Sequence, residues 1–229
     1  LENQLIVNIQ KYFQARKSFM KSIPTIIIMA RWHSPNRCKT RLAKDIGVMR
    51  AAYIQQKLTN HTLHVAKSLE TKGLAKIHLA IAGLGPNACK RERRGLRIDR
   101  VVTQGQGNLG LRMKKEILKA QTNKISPIII IGTDLPTLSE EDLLKASLSL
   151  ETHGMVIGPS MDGGYWLLGL SSKLTRPIAN WPFTGIPWGR NNVLSETIKK
   201  ANENHIKIHL LRQQNDLDQL EDLKPWIRN

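Results

Sequence analysis

Apolar runs and amphipathic stretches take turns along this chain. Thr25–Ala30 (TIIIMA) is β-branched and uncharged, and it reads as a strand buried on both faces. Pro127–Ile131 repeats that pattern. Ile77–Ala82, Met155–Gly158, Tyr165–Leu170 and Ile206–Leu211 read as further strands, and Ile98–Val102 as a shorter, more polar one. Between them the apolar spacing is helical. Asp45–Glu70 places Ile46, Met49, Ala52, Tyr53, Leu58 and Leu63 on a recurring face. Leu111–Ala120, Glu140–Leu150 and Asn192–Asn202 follow, with Ser139 as the N-cap of the second of these. Strands alternating with helices predict a three-layer α/β/α domain on a mostly parallel, mixed sheet. In such sheets ligands sit beyond the carboxyl ends of the strands.

At 229 residues the chain has the length of one large domain, expected here over residues 23–229. Residues 1–22 read as a basic amphipathic extension, with Leu5, Ile9, Tyr12 and Phe13 at helical spacing among Lys11, Arg16, Lys17 and Lys21. They lack the apolar core of a signal peptide, and no apolar run approaches the roughly 20 residues of a membrane helix. Cys38 and Cys89 form neither a disulfide framework nor a zinc site. A reduced, cytoplasmic protein is the expectation. Net charge is +17, which favours anionic partners without choosing among nucleic acid, phosphorylated small molecules and a membrane surface. The one dense basic run, Lys90–Arg94, reads as a solvated loop. Aromatic residues are only 5% of the chain, too few for the interleaved aromatic and basic face of a nucleic-acid binder, so no specific nucleic-acid partner is expected.

Four loops that follow strands carry candidate chemistry. The first, Arg31–Leu42 (RWHSPNRCKTRL), brings Arg31, Arg37, Lys39 and Arg41 to a helix start. Guanidinium forks and a helix end suit phosphate oxygens, although the Walker A spacing is absent. A basic surface loop accounts for the same composition. The second is Gly132–Pro136, where an apolar strand delivers Asp134 to its carboxyl end, as a metal ligand or as a turn residue. The third contains Asp162, Gly163 and Gly164, in which the glycines permit close approach to a ligand and Asp162 is a second metal ligand or a base. An ordinary Asp-Gly turn reads the same way. The fourth offers Asp216 and Asp218 after the last strand.

Gly105, Gly107 and Gly110 match GxGxxG between a strand and a helix. The preceding strand carries Arg97, Asp99 and Arg100, which is unlike the central apolar strand of a dinucleotide fold. These glycines are expected instead to let the chain pass close to a base or sugar. The Trp181–Trp188 stretch (WPFTGIPW) is either a lid or a packed loop.

Taken in order, KTRLA (Lys39–Ala43), GNLGLRM (Gly107–Met113), IGTDLP (Ile131–Pro136), GPSMDGGYWLLGL (Gly158–Leu170) and IPWGRNNVL (Ile186–Leu194) resemble one family. It is the bacterial family of glycosyltransferase-like proteins related to phospholactate guanylyltransferase, including arsenosugar-biosynthesis-type members. The resemblance implies a GT-A-like nucleotide-diphospho-sugar transferase fold, a divalent metal at Asp134, and phosphate contacts from Lys39 and Arg41. Three positions depart from the family pattern. Arg31 stands where Lys is usual, Asn36 where Gly is usual, and Met161 where an acidic residue precedes Asp162. Asn tolerates left-handed backbone, so the turn at Asn36 is expected to survive.

The expected chemistry is a metal-assisted glycosyl transfer from a nucleotide-sugar to an acceptor. Nucleotidyl transfer from an NTP to a phosphorylated small molecule is the alternative on the same site, and a basic nucleic-acid-binding protein is the alternative of another class. Asp134, Asp162 and Asp216 are the candidate ligands for Mg²⁺ or Mn²⁺. Asp162 and Lys39 are the candidate catalytic groups. Arg31, Lys39, Arg41, Gly107, Gly110, Gly163 and Gly164 are the candidate nucleotide contacts.

Overall fold

Two isoleucine runs form the middle of the sheet. In the computed structural model, which describes residues 22–98, 100–121 and 126–226, β1 (Thr25–Arg31) lies beside β4 (Ile128–Ile131). The two are parallel, with Ile26 opposite Ile129 and Ile28 opposite Ile131. Alternate side chains enter opposite layers. Ile26, Ile28, Ile129 and Ile131 pack in one core, and Ile27, Ile128 and Ile130 in the other. Covering both faces explains why these strands contain no polar alternation.

The other strands are β2 (Lys76–Ala82), β3 (Arg100–Thr103), β5 (Met155–Pro159), β6 (Tyr165–Leu170) and β7 (Ile208–Leu210). The order is β3-β2-β1-β4-β6-β5-β7. β6 runs antiparallel to both neighbours, so the sheet is mixed and mostly parallel, as the alternation predicts. From β1 the chain moves outward to β2 and β3, then returns to place β4 on the other side of β1. The loops after β1 and β4 therefore open side by side, at the point where the winding changes direction.

The expected long helix is two helices. α1 (Leu42–Ile46) and α2 (Val48–Thr71) meet at Gly47, whose φ of +84° interrupts the helical backbone. The basic run expected as a loop lies instead within α3 (Pro86–Leu96). Pro86 starts that helix, and Cys89 anchors it as a buried side chain. The Lys67 ammonium donates to Leu96 O at 2.6 Å, satisfying a carbonyl at the helix end. Lys90, Arg91, Arg93 and Arg94 are exposed, so charge density marked a solvated helix face and not an irregular segment. α4 (Leu109–Ala120) and α5 (Glu140–Ser149) fall where the spacing puts them. The short α6 (Ser172–Thr175) was not expected. α7 (Val193–Glu203) matches its expected span, and the short α8 (Leu220–Leu223) was unforeseen. The basic extension expected over residues 1–22 lies, apart from Ser22, outside the described residues. The WPFTGIPW stretch is packed, with Phe183 and Ile186 buried and Trp181 and Trp188 against the lower core.

One clamp fixes the C-terminal segment that reaches the site. Ser139 and Asp142 form a reciprocal capping box on α5, as the N-cap at Ser139 predicts. The same Asp142 carboxylate accepts from Arg212 Nε and Nη2, both at 2.8 Å. Beyond Arg212 the chain crosses the ends of β5 and β4, through Gln214 N to Pro159 O at 3.0 Å and Leu217 N to Asp134 O at 2.9 Å. Burial alone would raise the Asp142 carboxyl, but the hydrogen bonds from Arg212 and Ser139 hold it below its ordinary value. Arg212→Ala leaves that carboxylate, 5% exposed, without its bidentate partner. Chemical denaturation should show a loss of about 2 kcal/mol near neutral pH. A carboxyl with a lowered folded value contributes stability above its unfolded value and loses it as pH falls. The gap between wild type and variant should therefore shrink below about pH 4.

Candidate functional site

The side-by-side loops of β1 and β4 open into a cavity of about 540 Å³. Its lining includes Arg31, Lys39, Arg41, Asp134, Asp216 and Asp218. The β1 loop turns through Asn36 (φ +63°) and Lys39 (φ +47°), so Asn36 does take the left-handed backbone where a glycine is usual. Cys38 is buried, and its thiol donates to Ser34 O. The turn at Lys39 drives its side chain inward. The buried ammonium pairs with Asp134 Oδ1 and donates to the Leu217 carbonyl. Arg41 stays exposed and reaches Asp218 Oδ2 at 3.0 Å.

On the β4 side, Thr133 is buried and accepts from Gln55 Nε2 at 3.1 Å, which ties the loop to α2. Asp134 beside it keeps 48% of its side chain exposed towards the cavity. Asp216 arrives on the segment held by Arg212. Burial pushes its carboxyl up to about 7, and the neighbouring Asp134, Asp162 and Asp218 push in the same direction, against Lys39. Among the described residues no group of three or more His, Cys, Asp or Glu is arranged to hold a metal ion. Asp134, Asp162 and Asp216 thus do not form a closed cage of protein ligands.

The structure separates the expected contacts into two sets. Arg31, Lys39, Arg41, Asp134 and Asp216 share the cavity, whereas Asp162, Gly107, Gly110, Gly163 and Gly164 are absent from its wall. Asp162 Oδ1 accepts from Ser160 Oγ and from Gly164 N at 2.9 Å, closing its own turn. A Cβ on Gly163 would lie 1.8 Å from Asn191 O, and one on Gly107 would lie 2.6 Å from Leu111 Cδ2. Gly110 is buried against Trp188 and Phe183. In this structure the close approach that Gly107, Gly110 and Gly163 allow is to protein, while Gly105 faces open space. The strand before the glycines, β3, is the edge of the sheet, in keeping with the argument against a dinucleotide fold.

Several polar cavity residues went unnoticed in the sequence, Gln104 and Arg112 among them. Gln104 follows β3, and Arg112 lies inside the quoted GNLGLRM stretch. An uncharged polar residue just past the carboxyl end of a strand was the available signal for Gln104, and an arginine at a helix start was the signal for Arg112.

The wound α/β sheet, with a cavity over its central strand ends, shares the nucleotide-diphospho-sugar transferase type of fold. The chain belongs to the family described as "Uncharacterized protein conserved in bacteria (DUF2064)", whose model matches residues 64–190. A solved structure from Desulfovibrio desulfuricans, assigned as a nucleotide-diphospho-sugar transferase, is 26% identical, with a TM-score of 0.81 over 90% of this chain and 87% of that one. The inositol-1-phosphate CTP transferase of T. maritima is 11% identical, with a TM-score of 0.56 over 89% of this chain and 93% of that one. The 4-diphosphocytidyl-2C-methyl-D-erythritol synthase of Anaerococcus prevotii is 14% identical, with a TM-score of 0.56 over 89% and 95%. These last two likenesses concern the fold alone. No curated protein matches the sequence. Among the described residues no helix is long and apolar enough to cross a membrane.

Two outcomes follow from this geometry. A Cβ on Gly110 would lie 2.5 Å from Trp188 Nε1 and 2.6 Å from the Phe183 carbonyl, and the backbone carbonyl cannot swing away. Gly110→Ala should therefore cost about 2 kcal/mol in denaturant unfolding. For Asp216, the raised value means that the native state keeps a proton the unfolded chain has released, from ordinary carboxylate values up to about 7. Stability then falls as pH rises through that window. Asp216→Asn should melt close to wild type at acid pH and above it at alkaline pH. An equal shift at both would count against a crowded, buried carboxylate.

Proposed function

We propose that this protein is a transferase that binds the diphosphate of a nucleotide-sugar in the cavity and transfers the sugar to an acceptor with help from a divalent cation. The observation that carries the reading is the carboxylate cluster beside Lys39, at the carboxyl ends of the central strands. Asp134 and Asp216 line one cavity, and a cation would offset the burial and the neighbouring carboxylates that raise Asp216. Without a third protein ligand, these two carboxylates suit Mg²⁺ or Mn²⁺, which take their remaining oxygens from water and substrate phosphate. When bound, the cation would supply Lewis-acid charge to the diphosphate oxygens.

The chain's own residues do the rest. Lys39, fixed by Asp134 and the Leu217 carbonyl, presents a positive charge that does not have to reorganise as the leaving diphosphate gains charge. Arg41, at the cavity edge, is free to exchange Asp218 for a phosphate oxygen with little loss, because an exposed ion pair contributes little. Asp162 keeps its second oxygen outside its own turn and acts on the charge at Asp216 from a distance. The guanylyltransferase-type relation suggested by the sequence motifs corresponds to nucleotidyl transfer on the same residues. Product analysis separates the two, since glycosyl transfer releases nucleoside diphosphate and nucleotidyl transfer releases pyrophosphate. A cavity of about 540 Å³ has the size of a small-molecule site and favours that over nucleic acid, and a cytoplasmic setting with nucleotide pools suits it.

Isothermal titration with nucleoside diphosphates and nucleotide-sugars in Mn²⁺ tests the proposal. Binding should weaken by about tenfold or more with EDTA or in Asp134→Ala. Binding that is the same with and without the metal, and in the variant, sinks the metal-assisted reading.

A further inference from the structure

The cavity has two chemically opposite ends. On the β4 side each cation already faces a carboxylate, Lys39 with Asp134 and Arg41 with Asp218. On the β2 side are Arg31, at the end of β1, and Arg112, at the start of α4. Among the described residues neither has a carboxylate within ion-pair distance. Arg31 donates only to the Arg37 carbonyl, at 3.2 Å. Arg112 Nε is buried without a hydrogen-bond partner.

Arg112 is held in place from below. Gln104 is 3% exposed, and its amide nitrogen donates to Ala30 O at 2.8 Å and Ala80 O at 3.0 Å. Those carbonyls belong to β1 and β2, so the amide has one orientation. A flipped amide would set its oxygen against two carbonyls and its NH₂ against a guanidinium. Its oxygen therefore faces Arg112 and accepts from Nη1 at 2.7 Å. One guanidinium nitrogen is spent on this anchor, and the buried Nε–H is left over. Burial, and then the charge of Arg31, pull Arg112 below its ordinary value. Two converging cations without an anion are unfavourable, and a neutral base would supply acceptors without supplying charge.

We propose that Arg31 and Arg112 form an oxyanion subsite for a phosphate or carboxylate group borne by a substrate, with Gln104 as the positioning residue. The subsite lies across β1 from the Lys39–Asp134 end. This rests on the reading of the cavity as the substrate site. The group belongs either to the nucleotide or to the second substrate, and both present the same chemistry.

The test titrates inorganic phosphate into the full chain near physiological salt. Arg112→Gln and Arg31→Gln should each weaken binding by about tenfold or more, as loss of a charge-assisted contact does. Arg94→Gln, which removes the same charge from the solvent face of α3, should leave it unchanged. Without ligand, Arg112→Gln should melt at or above the wild-type temperature, because a half-buried cation with an unpartnered Nε is gone. A drop in melting temperature with an intact phosphate response would mean that Arg112 is structural, and would overturn the proposal. Phosphate binding blind to both arginines, or no phosphate binding to wild type, would overturn it as well. Competition between phosphate and a nucleoside diphosphate identifies the nucleotide as the source, and simultaneous binding identifies the second substrate. Nucleotide binding through Asp134, with phosphate indifferent to the arginines, removes the subsite and leaves the transferase reading. Arginine-dependent phosphate binding without any nucleotide binding does the reverse.

Discussion

The buried ammonium of Lys39 is the constraint around which the site is organised. A lysine amine this deep is unfavourable unless its charge and protons are met. They are met by the Asp134 carboxylate and the Leu217 carbonyl. The three participants come from the β1 loop, the β4 loop and the C-terminal segment, which are distant in sequence. Lys39 reaches them because its backbone is left-handed, a conformation that costs a side chain with a Cβ on the order of 1 kcal/mol. Relaxing that turn would withdraw the amine and strand Asp134 beside a crowded Asp216. The strained loop and the acidic end of the cavity therefore depend on each other.

The rest of the molecule sets the height and register of these groups. The Ile runs of β1 and β4 pair Ile26 with Ile129 and Ile28 with Ile131, and their side chains alternate between the two cores. Gln55 holds the β4 loop through Thr133. The bidentate pair of Arg212 with Asp142 begins the path that delivers Asp216. Gln104 ties the ends of β1 and β2 to Arg112. Each support is a polar contact to backbone or to another element, and Gln55, Asp142 and Gln104 at their centres are buried. Buried hydrogen bonds of this kind rigidify what they join, which is what a preformed charged cavity needs.

The sheet was legible in the sequence because apolar runs and turn residues report burial directly, and all seven strands lie where those runs are. The loops that carry Lys39, Arg41 and Asp134 were legible for a related reason: they follow the two most apolar strands, and such strands are central. Pairing was not legible. Lys39 and Arg41 look like free cations in KTRL, and only the fold shows that Asp134 and Asp218 already face them. The glycines misled because a glycine records close approach without recording to what; for Gly110 the neighbour is Trp188. The run Lys90–Arg94 misled because local charge says little about backbone state when a buried Cys89 and Leu96 against the core dock a helix. Gln104 and Arg112 were missed because their meaning lies in contacts with Ala30 and Ala80, on other strands.

The net charge of +17 is therefore a poor guide to where the chemistry sits. On α3 the basic residues are exposed, where water and salt screen them. The charges that count are few and lie against apolar walls such as Met29, Ile130 and Leu168. Burial there raises Asp216 and lowers Arg112, and a lower local dielectric strengthens the repulsions that add to it, from Asp134 on the one and from Arg31 on the other. With acidic groups on the β4 side and unpaired guanidiniums on the β2 side, the cavity is polarised across β1. Under the proposed function, a ligand with an anionic group at one end and a cation-binding group at the other would be held in one direction only. That polarity comes from the order of the strands, since the loops of β4 and β2 must lie on opposite sides of β1. The winding of the sheet, and not the total charge, thus sets the direction in which the cavity is polarised.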